Sequence, residues 1–215
     1  MLRRTQARGN VRREAVIEVA MRLFAEKGFD NTSIPDIIKE AGGSTTTIYN
    51  TFKNKEGLFA AALEMLITRM FEATELQFET RKNLRDQLYV FGFAYLTAFC
   101  EPNAAALCRL VLGEASRCPM LSKMFFEGGV AKSYAYVAQI LERHTEIKGE
   151  EAKRLAALYV ESLKHRAYFK AVALVQAPNK IEIEEDAALA TDVFMAYIEK
   201  RADIPQMGNL FMGTF

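Results

Sequence analysis

The stretch 33-SIPDIIKEAGGSTTTIYNTF-52 decides the fold at the N-terminal end of this 215-residue chain. Ser33 can cap a helix, and Asp36 lies three residues later, an arrangement close to a capping box. Two adjacent glycines then break that helix, and Ser44 can cap a second one. The pattern predicts two short helices joined by a glycine-containing turn, 33–41 and 45–52.

The second helix of this pair has an unusual composition for a helix. Three consecutive threonines are poor helix formers, but Ile48 and Phe52, four residues apart, can anchor the segment by packing. Threonine offers a methyl group to thymine and a hydroxyl to base edges or phosphate, asparagine can pair with adenine, and tyrosine can bond phosphate. The stretch therefore favours a helix-turn-helix whose second helix enters the major groove of DNA. The alternative is a surface turn with a threonine-rich helical cap and no partner.

The distribution of charge supports a polyanionic partner. Residues 1–55 hold ten basic and six acidic residues, whereas residues 56–215 hold 18 basic and 21 acidic residues. Five arginines and no acidic residue lie within residues 1–13. A basic N-terminal module on a mildly acidic body is typical of a protein whose first part binds nucleic acid, although a basic surface can also serve only for solvation.

Helical periodicity extends along the rest of the chain. No segment shows sustained alternation of period two, so we predict an all-α protein without a sheet. The N-terminal part, 1–55, is predicted as a three-helix DNA-binding domain with a basic N-terminal arm, and 56–215 as a larger helical bundle for effector binding and dimerisation. The other predicted helices are 11–27 (ended by Gly28), 55–80, 83–100, 103–117, 119–145 (kinked or split at Gly128-Gly129), 150–176 and 182–201, followed by an irregular tail, 203–215.

Residues 13–59 resemble the DNA-binding domain of TetR/AcrR-type transcriptional regulators. The matching marks are Ala20, Leu23-Phe24, Gly28, Thr32-Ser33, Asp36-Ile37, Ala41-Gly42, Ser44, Thr47, Tyr49, Phe52, Lys55-Glu56 and Leu58-Phe59. The resemblance covers about the first quarter of the chain, and within the family it favours the AefR-like branch. Gly43 departs from the pattern, because the family usually has a small apolar residue there. We expect this glycine to lose a packing contact and to loosen the turn.

The resemblance implies roles for individual residues in binding a double-stranded operator. Candidates for base contact are Thr45, Thr46 and Asn50. Candidates for phosphate contact are Thr32, Thr47, Tyr49 and Lys55, while Ser33, Ser44 and Lys53 complete the DNA-binding set. Arg3, Arg4 and Arg8 are expected to form a flexible arm that reaches the DNA backbone or the minor groove.

The larger C-terminal part is rich in phenylalanine, tyrosine and methionine. Such residues at helical spacing are usually core, but they can also surround a pocket for an apolar or aromatic small molecule. The resemblance implies that an effector bound there releases the DNA. Candidate ligand contacts are Phe93, Arg109, Glu114, Gln139 and His165.

The last two predicted helices carry many alanines between large apolar residues. A helix that is apolar on most sides must bury more than one face. A two-fold dimer built from a four-helix contact would bury these faces and would pair two DNA-binding heads on a near-palindromic operator. Burial within one subunit is the alternative, and the expectation of a homodimer comes largely from the family.

Enzyme classes find little support in the sequence. There is no nucleophile-elbow motif, no phosphate-binding glycine loop and no paired metal-ligand spacing, so we predict no catalytic residue, metal or cofactor. The three cysteines fit free thiols better than a redox sensor. Charged residues interrupt every long apolar run and no secretory signal is present, so we expect no membrane association and a cytoplasmic location. These features predict a ligand-responsive transcriptional regulator, most often a repressor in this family. One alternative is a DNA-binding protein of the same fold that responds to a protein partner or has no effector. The other is a small-molecule binding or carrier protein whose helix-turn-helix is vestigial.

Overall fold

Helices make up the regular structure of the computed structural model. It describes the backbone of residues 2–78 and 83–201, and the side chains of 12–69, 71–72 and 83–201. No strand occurs within these ranges, as the sequence predicts. The helices are α1 Leu2–Lys27, α2 Ile34–Ala41, α3 Thr45–Phe52, α4 Lys55–Phe78, α5 Leu84–Cys100, α6 Pro102–Glu114, α7 Pro119–Phe125, α8 Ala131–His144, α9 Gly149–Ser162, α10 Arg166–Val172 and α11 Lys180–Lys200, with a π-helical segment Phe126–Val130 between α7 and α8.

The first helix is longer than its apolar stripe predicts. It starts at Leu2 instead of residue 11, so the expectation of a flexible arm is wrong: the backbone of the basic segment continues α1. Gly28 ends the helix with φ +81°, a left-handed conformation that glycine adopts without strain. Its amide donates a hydrogen bond to the Phe24 carbonyl at 3.0 Å.

The caps of α2 and α3 confirm the two short helices at their predicted positions. The Ser33 side chain accepts a hydrogen bond from the Asp36 amide, and the Asp36 carboxylate accepts one from the Ser33 amide, which completes a capping box. The Ser33 hydroxyl also donates to the Asp36 carboxylate at 2.6 Å, and this bond, together with the one from the Ser33 amide, lowers the pKa of Asp36. Ser44 caps α3 by accepting a hydrogen bond from the amide of Thr47.

The turn between α2 and α3 explains the two adjacent glycines. Gly42 has φ +73° and Gly43 has φ +117°, and both values lie in the region that disfavours L side chains. A Cβ at Gly43 would be strained by this backbone, although the nearest guanidinium atom, from Arg12, would be 3.6 Å away. Glycine at position 43 therefore suits the conformation of this turn, where we had expected a lost packing contact and a looser turn.

The long elements match the predicted helices to within a few residues except at one place. The predicted helix 119–145 is divided at Gly128-Gly129 by the π-helical segment, as the sequence predicts. The predicted helix 150–176 is wrong, because α9 ends at Ser162 and α10 starts at Arg166. The predicted tail 203–215 and the residues after α4, 79–82, lie outside the described residues.

The buried side chains form two hydrophobic clusters that share α4 and α6. The head cluster joins α1, α2 and α3 to the first half of α4 and to parts of α6 and α7, and it contains Leu63. The body cluster joins part of α6 to α5, α8, α9, α10 and α11, and it contains Leu66 of α4. Because Leu63 and Leu66 are one turn apart, α4 passes directly from one cluster into the other.

Candidate nucleic-acid interface

The third helix presents a polar face to solvent. Ile48 and Phe52 are buried in the head cluster, as their spacing predicts. The other side of the helix is exposed, and it carries the side chains of Thr45, Thr46, Thr47, Tyr49 and Asn50. The structure thus brings five of the predicted DNA-binding residues together on the exposed side of a helix that packs against α2 and α4.

Hydroxyl groups at the start of α3 are partly engaged within the helix. The Ser44 Oγ lies 2.8 Å from the Thr47 Oγ1, and it also accepts the Thr47 amide at 3.2 Å. Thr51 donates its hydroxyl to the Thr47 carbonyl at 2.8 Å. The side chains of Thr45, Thr46 and Asn50 make no hydrogen bond to the described part of the chain, so they are available to a partner.

Thr32 is buried and Lys55 is partly buried, and both side chains bond to backbone carbonyls of the head, so their geometry does not favour the predicted phosphate contacts. Thr32 is only 1% exposed, and its hydroxyl lies 3.1 Å from the Leu23 carbonyl and 2.8 Å from the Gly28 carbonyl. The Lys55 ammonium donates to the Phe29 carbonyl at 2.8 Å and lies 4.4 Å from the centre of the Phe29 ring. Both side chains fasten the loop between α1 and α2, because their polar atoms satisfy its carbonyls.

Two basic residues near α3, Arg12 and Arg13, are not among the candidates predicted from the sequence. The guanidinium of Arg13 lies 5.6 Å from the centre of the Phe52 ring, and Arg12 approaches the glycine turn. Lys53 is exposed and ends α3 with φ +70°. The cluster of arginines in residues 1–13 was the available signal for the first two. The side chains of Arg3, Arg4 and Arg8 lie outside the described side chains.

The predicted ligand contacts do not converge on one cavity. Phe93 lines a cleft of about 660 Å³ between the head and the body. Arg109 lies at a separate cavity of about 160 Å³, where its guanidinium donates to the Ala171 carbonyl at 2.9 Å. Gln139 is exposed on α8. The Glu114 carboxylate lies 3.8 Å from the Arg117 guanidinium. His165 lies beside Asp186, with 3.5 Å between the His165 Nδ1 and the carboxylate.

The cysteines are free thiols, as predicted. Cys100 and Cys108 are buried, and burial raises the pKa of each thiol to about 12. A thiol with such a pKa is almost entirely protonated near neutral pH, so these two residues are poorly suited to redox sensing. Cys118 is partly buried at the start of α7.

Exposed apolar side chains are concentrated on the last three helices and the segment that follows α10. Leu189, Val193 and Tyr197 recur every four residues along one side of α11, and Leu189 and Val193 are 57% and 62% exposed. Leu158 on α9 and Phe169 on α10 are exposed as well. Most large side chains of such helices lie inside a core, so this surface is suited to a contact between proteins. The surface consists of Leu158, Phe169, Leu174, Val175, Ile181, Leu189, Val193 and Tyr197.

The arrangement defines an all-helical protein with an N-terminal helix-turn-helix, and comparisons with known proteins agree with it. The family model for bacterial regulatory proteins of the tetR family matches residues 16–75. The model for the C-terminal domain of AefR-like transcriptional repressors matches residues 86–198, more than half of the chain. The protein therefore belongs to the TetR family, with an AefR-like C-terminal domain, and both parts of the predicted resemblance are confirmed.

Individual relatives match parts of the chain. The HTH-type transcriptional repressor ComR of Escherichia coli is 33% identical over 100 residues, which are 46% of this chain and 48% of ComR. The probable acrEF/envCD operon repressor of the same species is 29% identical over 147 residues, covering 66% of this chain and 64% of that protein. This chain therefore spans about half to two thirds of the length of these two relatives.

Solved structures share the fold over most of the chain. A TetR-family regulator from Mesorhizobium loti superposes with a TM-score of 0.71 at 24% identity, covering 88% of this chain and 97% of that one. A transcriptional regulator from Pseudomonas aeruginosa gives 0.72 at 17% identity, covering 90% and 94%. Among the described helices, none is long and apolar enough to cross a membrane.

Proposed function

We propose that the protein is a ligand-responsive transcriptional repressor that binds a palindromic operator as a homodimer. The observation that carries this proposal is the polar face of α3, where Thr45, Thr46 and Asn50 are exposed while Ile48 and Phe52 hold the helix against the head. A helix anchored in this way can enter the major groove with its polar side chains directed at base edges. The names of the related ComR and acrEF/envCD proteins, both repressors, support repression over activation.

Contacts to the DNA backbone come from a different group of residues. We assign phosphate contacts to Thr47, Tyr49 and Lys53, which are exposed on or just after α3, together with Arg12 and Arg13 near its ends. Ser33 and Ser44 contribute by capping α2 and α3, which leaves the N-terminus of α3 oriented for a nearby phosphate. Phosphate contacts set affinity and salt dependence, whereas base contacts set sequence preference.

A homodimer supplies the two heads that a palindromic operator needs. The exposed apolar surface on α9, α10 and α11 is our candidate for the contact, because a two-fold axis along it would bury the same side chains of both copies. Small residues on the inner side of these helices, such as Ala156 and Ala187, are already buried within one subunit. One side of these helices therefore packs within the subunit, and the exposed apolar side is the part that we propose for the second copy.

Selection from a pool of random double-stranded DNA tests the proposal. At low salt the full-length protein should enrich a palindromic sequence and retard it in a gel, at a stoichiometry of two chains or a multiple of two per site. A variant carrying both Thr46→Ala and Asn50→Ala should fail to enrich the same sequence. Absence of any enriched sequence would refute operator binding, and it would favour a small-molecule carrier whose helix-turn-helix no longer binds DNA.

A further inference from the structure

The turn before α3 contains a second glycine after the one that ends α2. The Gly42 amide donates to the Ile38 carbonyl at 2.8 Å, and Gly42 has the positive φ, +73°, that is common just after a helix. Gly43 follows with φ +117°, and both glycines are exposed. Because Gly42 already ends α2, the absence of a side chain at position 43 has a different use, which the neighbouring residues indicate.

The guanidinium of Arg12 lies where a side chain at position 43 would point. A Cβ at this position would lie 3.6 Å from the Arg12 Nη2 and 3.8 Å from the Arg12 Nε, so one edge of the guanidinium faces the turn. These are distances of ordinary contact, so there is room for a single methyl carbon but not for further carbon atoms on that side. A larger residue at position 43 would therefore push the guanidinium away from the turn.

Arg12 is not engaged by the rest of the protein as described. Arg22, on the same helix, pairs with Glu26 and with Glu40. Arg12 is exposed, and within the described part of the chain its side chain makes no ion pair or hydrogen bond. Its positive charge and its five N–H groups are therefore available to a ligand.

Arg12 and the next residue, Arg13, reach opposite ends of α3. Gly43 directly precedes Ser44, the cap of α3, so Arg12 lies at the start of this helix. The Arg13 guanidinium lies 5.6 Å from the centre of the ring of Phe52, the last residue of α3. The major groove of DNA is about 12 Å wide, and phosphates of both strands border it. A guanidinium from α1 is thus present at each end of the helix that is proposed to enter the groove.

Phosphate is the group that suits the Arg12 guanidinium. Arginine binds phosphate through two parallel N–H···O bonds, which are stronger than bonds between neutral groups. The nearby side chains of Thr45 and Thr46 are exposed and uncharged, so Arg12 can bind the DNA backbone while these residues contact bases. Phosphate contacts fix the orientation of a protein on the duplex, and this one would fix the start of α3 in the groove.

We propose that Gly43 is a positioning residue, whose missing side chain lets the Arg12 guanidinium lie against the turn and bind a DNA phosphate at the start of α3. Gly43 acts through Arg12 and does not itself contact DNA. The proposal deepens the proposed function and rests on operator binding. It also accounts for a glycine where the family usually has a small apolar residue, because the guanidinium takes the place of that side chain.

The salt dependence of operator binding tests the phosphate contact of Arg12. Arg12→Gln should lower the slope of log affinity against log salt by about one unit, as expected for one lost phosphate contact. Arg143→Gln, at an exposed arginine in the last turn of α8, is the control and should leave the slope unchanged. A slope for Arg12→Gln equal to that of the unaltered protein would overturn the proposal.

Two variants at position 43 separate the size of the side chain from the strain of the backbone. Gly43→Ala and Gly43→Val both place a side chain on a backbone with φ +117°, so both should weaken operator binding. Only valine extends beyond contact distance of the Arg12 guanidinium, so only Gly43→Val should also lower the salt slope by about one unit. Weaker binding with an unchanged slope in both variants would show that Gly43 acts through the turn alone, against the proposal.

A substitute variant covers the case in which Gly43→Val does not fold, as judged by circular dichroism. Gly43→Asn then replaces it, because asparagine tolerates positive φ better than most residues with a side chain. The same loss of slope is expected, since the asparagine side chain also extends past a Cβ. An unchanged slope in this variant would count against the proposal in the same way.

The combined variant tests whether Gly43 acts through Arg12. Arg12→Gln together with Gly43→Val should have the slope of Arg12→Gln alone, because one contact can be lost only once. A fall of about two units would show that the residues act independently. If no operator can be selected, the proposed function fails, and slopes on random DNA still decide the phosphate contact. A protein that binds no DNA at low salt would refute both proposals.

Discussion

The head and the body of this protein expose opposite kinds of surface from similar helices. On α3 the apolar residues Ile48 and Phe52 are buried and hydroxyl and amide groups face solvent. On α11 the side that faces the body is buried, yet Leu189, Val193 and Tyr197 remain exposed on another side. A polar exposed face on a basic head suits a nucleic acid, and an apolar exposed stripe suits a second protein surface. The partner of each helix is thus indicated by what the helix leaves uncovered.

The largest expected effect comes from placing a charge in the apolar stripe. Val193→Glu should weaken dimerisation roughly 100-fold, or about 3 kcal/mol, because a carboxylate would be buried without a partner. Sedimentation over a range of concentrations measures the change. Leu112→Glu, at an equally exposed apolar residue on α6, is the control and should leave the dimer intact. An effect of Leu112→Glu as large as that of Val193→Glu would move the interface away from α11.

A smaller effect is expected on the polar face of the head. Thr46→Ala or Asn50→Ala should cost about 1–3 kcal/mol in binding to the selected operator and much less on random DNA, because each removes a contact to a base edge. Thr51→Ala is the matched control, since the Thr51 hydroxyl is already bonded to the Thr47 carbonyl. Competition gel shifts with both DNAs provide the measurement. Equal losses on operator and random DNA would refute base recognition by these residues.

Replacing the buried Thr32 should lower the stability of the protein without changing its DNA sequence preference, the opposite of what is expected for the exposed residues of α3. Thr32→Val keeps the shape of the side chain but removes a hydroxyl whose single hydrogen is shared between two carbonyls, so the free energy of unfolding should fall by about 1–2 kcal/mol. Urea denaturation measures this loss, and the sequence preference on DNA should not change. A variant of unaltered stability with weakened DNA binding would return Thr32 to the DNA surface.

The smallest expected effect is a difference between Lys53 and Lys55 in the salt dependence of DNA binding. Lys53→Gln should reduce the slope of log affinity against log salt by about one unit, as expected for one lost phosphate contact. Lys55→Gln should leave that slope unchanged and lower the midpoint of urea unfolding, because the Lys55 ammonium bonds the loop after α1. Equal changes of slope would show that both ammonium groups reach the DNA.

Sequence was sufficient for the parts of the fold that depend on local signals. The capping residues Ser33 and Ser44 fix the starts of α2 and α3, and the adjacent glycines fix the turn between them. The end of α9 was missed because no glycine or proline marks it. The break near His165 depends on a distant residue: Asp186 of α11 accepts the Ala167 amide at 2.6 Å and pairs with Arg166.

The residues of the candidate sites could be predicted where local sequence signals decide their position, and not where contacts between distant parts of the chain do. The exposed residues of α3 can be predicted from helical periodicity, because Ile48 and Phe52 mark the buried side of the helix. Thr32 and Lys55 have the same chemistry as true surface candidates, and only their carbonyl partners, up to 26 positions away in the chain, reveal their internal use. The interdomain cleft was not predictable, because its walls come from three segments that meet only in the folded chain.

The π-helical segment at Phe126–Val130 gives one continuous run of helix two different orientations. Leu121 of α7 packs in the head cluster, whereas Val137 and Leu141 of α8 pack in the body cluster. Each residue turns an α-helix by about 100°, so the extra residue of a π-helical turn rotates the sides of α7 and α8 relative to one another. Deleting one glycine of the Gly128-Gly129 pair would restore a regular helix and turn one of these two sides away from its core. The segment therefore works as a phase shift, by which a single helical run supplies apolar side chains to both domains.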